Sequence, residues 1–140
     1  MLHSQKLRLV ALVLSSALVV GCSGDGIHTV PVYGKVTAAG REMPKVCRLF
    51  FNPTSTGVAP LRPSVVQTEP DGSYAVKAFK DSDGLLPGTY RVVVSYFDLK
   101  PGGNPNSEGG WVEHKHDAGE LVVDADADEI EHNIEVPAKS

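Results

Sequence analysis

The chain has 140 residues, 41% of them hydrophobic and 21% charged, with 13 Lys and Arg against 17 Asp and Glu for a formal charge of −4. That length suffices for one domain with a real core and is too short for two. The acidic balance argues against nucleic acid as a partner and against electrostatic docking on anionic lipid. Only Cys22 and Cys47 could pair.

Residues 1–21 read as a targeting segment. Lys6 and Arg8 precede an apolar run at 9–20, and Val19-Val20-Gly21-Cys22 ends it with a small residue and a cysteine. This resembles the lipobox of a bacterial lipoprotein signal. The resemblance implies removal of residues 1–21 and lipidation of Cys22 at its sulfur and new amino terminus. The apolar run has 12 residues, short of the roughly 20 that a spanning helix needs. An uncleaved anchor and an ordinary secretory signal with a coincidental cysteine are the competing readings. Processed at Cys22, the chain keeps 119 residues, 11 Lys and Arg against 17 Asp and Glu, and a formal charge of −6. It would work outside the cytoplasm, membrane-anchored through its acyl chains. Ser23 in place of Asp after Cys22 favours the outer membrane over the inner. With Cys22 acylated, Cys47 has no partner and no disulfide scaffold exists, so the core must be apolar packing.

Residues 22–29 form a short tether, and 30–140 read as strands divided by turns, with no amphipathic helix. The first strand, 30–37, alternates, with Val30, Val32, Gly34 and Val36 on one side. A turn at 38–41 leads to a second strand at 45–52 with Cys47, Leu49 and Phe51 inward, stopped by Pro53. Cys47 reads as a small buried hydrophobe. A loop at 54–63 precedes a short strand at 64–68 and a Pro70-Asp71-Gly72 turn. Next come a strand at 73–79 with Tyr74, Val76 and Ala78 on one side, a turn at 81–84, and the strongest strand, 89–97. That strand places Tyr90, Val92, Val94 and Tyr96 together. Residues 99–110, rich in Gly, Pro and Asn, predict a mobile loop. An edge strand or extended segment at 111–116 and strands at 120–124 and 129–136 complete the series. Short strands with turns every eight to twelve residues predict an antiparallel Greek-key sandwich.

Four segments carry a family resemblance. They are Val32-Tyr33-Gly34-Lys35-Val36 with Gly40-Arg41-Glu42-Met43-Pro44-Lys45-Val46, then Phe51-Asn52-Pro53, then Thr68-Glu69-Pro70-Asp71-Gly72-Ser73-Tyr74, and then Gly84-Leu85-Leu86-Pro87-Gly88-Thr89-Tyr90-Arg91-Val92-Val93-Val94. Together they resemble the carboxypeptidase regulatory-like domain of small planctomycete-type lipoproteins. That family implies an all-β, seven-stranded, transthyretin-like or Ig-like sandwich over residues 30–140. Hydrolases related to transthyretin end in Tyr-Arg-Gly-Ser. This chain ends in Pro137-Ala138-Lys139-Ser140, so the resemblance does not imply that activity, and the fold by itself names no function.

Candidate sites are few. His114 and His116 lie two apart and point the same way in an extended segment, so both could meet one Zn or Cu ion, with His132 or Asp117 as a further ligand. A pair of solvated histidines is the alternative. Asp124, Asp126, Asp128 and Glu129 could gather around Ca²⁺, or form an acidic turn without the EF-hand pattern. Lys35 and Asn133, in the first and last strands, could form an isopeptide bond, although the alternation turns Lys35 outward. Trp111, the only tryptophan, could stack on a glycan, anchor an envelope protein, or pack at the sheet edge. No nucleophile triad, phosphate loop or paired-carboxylate motif stands out. The sequence is therefore read as a lipid-anchored, non-catalytic binding or structural module of the cell envelope without a cofactor. The alternative is a periplasmic metal-binding protein.

Overall fold

The computed structural model describes residues 28–39, 41–54, 61–77 and 84–137. Cys22, its signal and most of the tether lie outside them, as do Ala78 and most of the loop expected at 54–63. The described residues form β1 (Val32–Ala38), β2 (Arg41–Glu42), β3 (Arg48–Pro53), β4 (Ser64–Gln67), β5 (Ser73–Ala75), β6 (Gly88–Leu99), β7 (Trp111–Val123), β8 (Ile130–Glu131) and β9 (Ile134–Val136). A single 3₁₀ turn at Glu108–Gly110 precedes β7. The protein is all-β.

The strands make two sheets. One has the order β4-β3-β6-β7, and the other is built around β1, which pairs with β2, β5, β8 and β9. Their facing sides enclose the core. Val32, Val36, Tyr74, Ile134 and Val136 come from the β1 sheet, and Leu49, Phe51, Tyr90, Val92, Val94, Leu121 and Val123 from the other; all are buried. The Phe51 and Tyr74 rings meet across the layers with centroids 6.3 Å apart. Period-2 alternation explains this pattern, since every second side chain of a strand points to the same face. Cys47 is fully buried and free, as expected for a small hydrophobe. Its amide donates to Thr68 Oγ1 at 3.0 Å, and burial raises its thiol pKa, which keeps it protonated and inert.

Two expectations are corrected. First, the pairing is not wholly antiparallel, because β1 runs parallel to β8 and β9. A parallel pair needs a long crossover, and here the rest of the domain supplies it. Second, residues 111–116 and 120–124 belong to one strand. Arg91 opposes Glu120 but Val93 opposes Asp117, so Ala118 and Gly119 together oppose Val92. This is a β-bulge, with Gly119 at φ +85°. Residues 99–110, expected to form a mobile loop, carry main-chain hydrogen bonds of their own. Lys100 N donates to Gly110 O, Gly103 N to Lys100 O, Ser107 N to Asn104 O and Gly110 N to Ser107 O, at 2.8–3.0 Å.

β8 and β9 keep one register on β1, from Val32↔Ile130 through Ala38↔Val136. The interruption at His132 and Asn133 follows from local chemistry. Asn133 Oδ1 accepts from the Lys35 amide at 2.9 Å, replacing a ladder bond. The His132 carbonyl turns onto Gly34 and accepts from the Tyr74 hydroxyl. A Cβ on Gly34 would overlap that carbonyl.

Gly34→Ala should therefore destabilise the fold by about 2–3 kcal/mol, the upper range for overpacking a tight site. Gly119→Ala meets no atom within 4 Å and strains only its positive φ, so it should cost about 1 kcal/mol. Urea unfolding followed by circular dichroism tests the order. Equal losses would mean that the carbonyl is not a fixed obstacle.

Candidate functional site

The β6–β7 hairpin is much longer than the strands facing it. β6 has 12 residues and β7 has 13, against 7 in β1 and 2 to 3 in β2, β5, β8 and β9. At the loop end the inner face of the hairpin is consequently only partly covered. A cleft of about 470 Å³ opens there, between the β1–β2 turn and the end of the hairpin. That volume lies within the range of small-molecule sites. Arg41, Glu42, Tyr96, Asp98 and Trp111 line it, together with Pro137, which follows β9.

Each group is held by its neighbours. The Trp111 indole N–H donates to Pro105 O at 3.1 Å, and the Lys45 ammonium lies 4.5 Å from the indole centroid, a cation–π distance. Tyr96 stands opposite His114 in the β6–β7 ladder, with ring centroids 5.5 Å apart. Burial, and then the Asp98 charge, raise the Tyr96 pKa, so its hydroxyl stays neutral at physiological pH. Asp98 Oδ2 lies 3.6 Å from His114 Nε2, beyond hydrogen-bond reach, and that nitrogen is buried without a partner among the described residues. Glu42 faces Lys35 at 3.8 Å, both well exposed, a pair worth little in stability. The Arg41 guanidinium is exposed on the two-residue β2 and has no ion-pair or hydrogen-bond partner among the described residues.

The residues singled out from sequence separate. Trp111 borders the cleft. His114 and His116 share a face of β7, opposite Tyr96 and Val94, and each is only part-exposed. His132 belongs to the other sheet, between β8 and β9, where burial lowers its pKa and leaves Nε2 unpartnered. Among the described residues no three His, Cys, Asp or Glu side chains gather as a metal-ligand group. Asp117 pairs instead with Arg91. Asp124 caps a tight turn by accepting from the Asp126 amide at 2.9 Å, and Glu129 accepts from the Tyr33 hydroxyl at 3.2 Å. The Lys35 side chain turns outward to Glu42 while Asn133 bonds its main chain, so the two side chains do not face each other for an isopeptide bond.

Sequence reasoning missed Arg41 and Asp98. Asp98 carried a usable signal, since it continues the Tyr90-Val92-Val94-Tyr96 alternation by one more step. Arg41 carried none, because a turn residue reveals nothing of what lies across from it. Comparisons with protein-family models, curated proteins and solved structures find no match for this chain.

His132 yields a pH prediction. Its folded pKa lies below the unfolded value of about 6.5, so neutral His132 favours the fold above that value and the contribution is lost as pH falls through the folded pKa. Asp71 and Asp117 have lowered pKa values, Asp71 chiefly from the Ser73 hydroxyl and Asp117 chiefly from its Arg91 bond. Their contributions are lost only in a lower window, below about pH 4. The fall in Tm between about pH 7.5 and pH 5.5 should therefore shrink in His132→Leu. An unchanged slope in thermal melts would assign it to other groups.

Proposed function

We propose that this chain is a lipid-anchored, non-catalytic binding module of the cell envelope. Residues 1–21 are removed and Cys22 carries the acyl chains, which hold the domain at the outer membrane. The domain is a carboxypeptidase regulatory-like sandwich of the transthyretin-like, Greek-key type. The two-sheet all-β architecture supports this reading, as does the order of turns that the resemblance quotes. The observation that carries the binding role is the cleft at the end of the hairpin. It sets a fixed indole, a neutral phenol and an unpaired guanidinium on a rigid scaffold. Binding groups commonly ride on such loop ends over a packed framework. Aromatic and arginine side chains are the usual anchors of recognition surfaces.

A second reading rests on one observation. His114 and His116 present two imidazoles on one face, and His114 Nε2 has no hydrogen-bond partner among the described residues, with Asp98 Oδ2 3.6 Å away. Zn or Cu bound there would recruit a further ligand from outside the pair.

The test of the first reading is recovery of tagged full-length protein from mildly solubilised envelopes. The wild type should carry an acyl mass on Cys22 and retain an envelope component. Cys22→Ser should lose the acyl group, and Trp111→Ala should lower retention at least about tenfold, the scale of one buried aromatic anchor. Unchanged retention in Trp111→Ala would remove the cleft from the proposal. Calorimetry with Zn²⁺ and Cu²⁺ tests the second reading, which fails if the heat survives replacement of both His114 and His116 by Ala.

A further inference from the structure

The chemistry of the cleft narrows its ligand. Three features converge there. An indole and a phenol line it, each oriented by a neighbour within the hairpin or its loop: Trp111 by Pro105 O and Tyr96 by the His114 ring. Such rings cover the apolar face of a flat, amphipathic partner. Asp98 and the Tyr96 hydroxyl supply acceptors, and a donor, close to those rings. Finally, the cleft is of mixed charge, with Glu42 and Asp98 acidic and Arg41 basic. Glu42 is matched by Lys35, while Arg41 has no counter-ion among the described residues and the Lys45 ammonium lies against Trp111. On a protein of net charge −4, this places an unmatched guanidinium beside an aromatic wall.

We infer that this cleft binds a sugar ring carrying a carboxylate, an inference that rests on the binding-module reading above. A pyranose presents an apolar C–H face to Trp111 and Tyr96. Its hydroxyls reach Asp98 and the Tyr96 phenol, and its carboxylate meets Arg41, whose planar fork matches a carboxylate with two parallel hydrogen bonds. A neutral sugar leaves Arg41 without a counter-charge. A densely charged polyanion such as nucleic acid is repelled by the acidic remainder of the surface. Carboxylated sugars reach an envelope protein from two sources, the wall polymer and uronate polysaccharides, and the cleft chemistry is common to both.

The sole tryptophan makes the test direct, because all tryptophan fluorescence reports on the cleft. Full-length protein in a sugar-free polyoxyethylene detergent is titrated with two acidic disaccharides, N-acetylglucosaminyl-N-acetylmuramic acid and digalacturonate. Their neutral counterparts, diacetylchitobiose and galactobiose, serve as controls. At least one acidic disaccharide should give a saturable change and bind about tenfold or more tighter than its neutral counterpart, the scale of one charge-assisted pair. Which acidic probe responds identifies the source. Arg41→Ala should bring acidic binding down to the neutral level, and calorimetry on Trp111→Ala should show no binding of either kind. Arg41 is exposed on a two-residue strand, so its loss should leave the fold intact, as circular dichroism would verify. Equal affinity for acidic and neutral disaccharides overturns the inference, as does acidic binding that survives Arg41→Ala, or the absence of any saturable response. If the disaccharides fail while Trp111-dependent recovery of an envelope component persists, the saccharide inference falls alone. If both fail, the binding-module reading falls with it.

Discussion

The closure of this domain depends on one backbone group, the carbonyl of His132. It turns out of the ladder between β8 and β9, rests on the Cα of Gly34 and is capped by the Tyr74 hydroxyl. Three elements meet at that oxygen: β1, β5 through Tyr74, and the last strand segment. A buried carbonyl without a partner is costly, so the phenol is needed as much as the missing Cβ is. Burial raises the Tyr74 pKa strongly, so the hydroxyl remains a donor well above physiological pH. With the carbonyl seated, Ile134, Glu135 and Val136 fall into parallel register on Val36, Thr37 and Ala38. The Ala39 amide then donates to Val136 O at 3.0 Å. A slip of one residue would turn Ile134 and Val136 out of the core. The same register carries Pro137 to the wall of the cleft, so the shape of the cleft depends on a contact made in the middle of the sheet.

The bulge at Ala118 and Gly119 is the second constraint, and it acts by parity. Leu121 and Val123 are odd-numbered and buried on the core side. Continued without interruption, that alternation would aim Glu113 and Lys115 inward. The extra residue reverses the phase, so His114 and His116 share the face of Tyr96 and Val94 while Glu113 bonds Ser95 on the other. One strand thus supplies aliphatic packing at its enclosed end and polar, part-exposed rings at its open end.

Much of the framework was legible from alternation alone. Val30, Val32 and Val36, Cys47, Leu49 and Phe51, Tyr74 and Val76, and Tyr90, Val92 and Val94 were each grouped on one face of a strand and are buried, because period-2 patterns record which residues of a strand share a face. Gly34 falls on the face of Val32 and Val36, and the His132 carbonyl is why no side chain fits there. Other features were not legible, for identifiable reasons. The parallel pairing of β1 with β8 and β9 joins residues about a hundred positions apart, and alternation does not encode direction. The unity of β7 was hidden because a bulge breaks the alternation on which strand reading relies. The hydrogen bonds within 99–110 were not legible either, since glycine, proline and asparagine mark tight hydrogen-bonded turns as readily as open chain. At the cleft, Trp111 was visible as the sole tryptophan and Tyr96 as an inward strand residue. Arg41 and Asp98 became its companions only when the β1–β2 turn was placed against the hairpin.

The mismatch in strand length gives the cleft its physical origin. Two layers of equal length would bury the whole hairpin, and the positions of Tyr96, Asp98 and His114 would then demand apolar side chains or fully satisfied polar groups. Because the β1 sheet ends early, those positions lie at partial exposure, about 30% for the side chains of His114 and Asp98. There a carboxylate keeps contact with water, and an aromatic ring can pack without being sealed. The same geometry explains the unmatched guanidinium. Arg41 lies on the short strand that stops at the cleft, on the other sheet from Asp117 and Glu120 and flanked by a Glu42 already facing Lys35. A surface arginine held near carboxylates for stability alone gains little. One set beside Trp111 and Tyr96, where the layers part at the end of the hairpin, gains a charge-assisted contact once an anionic ring enters.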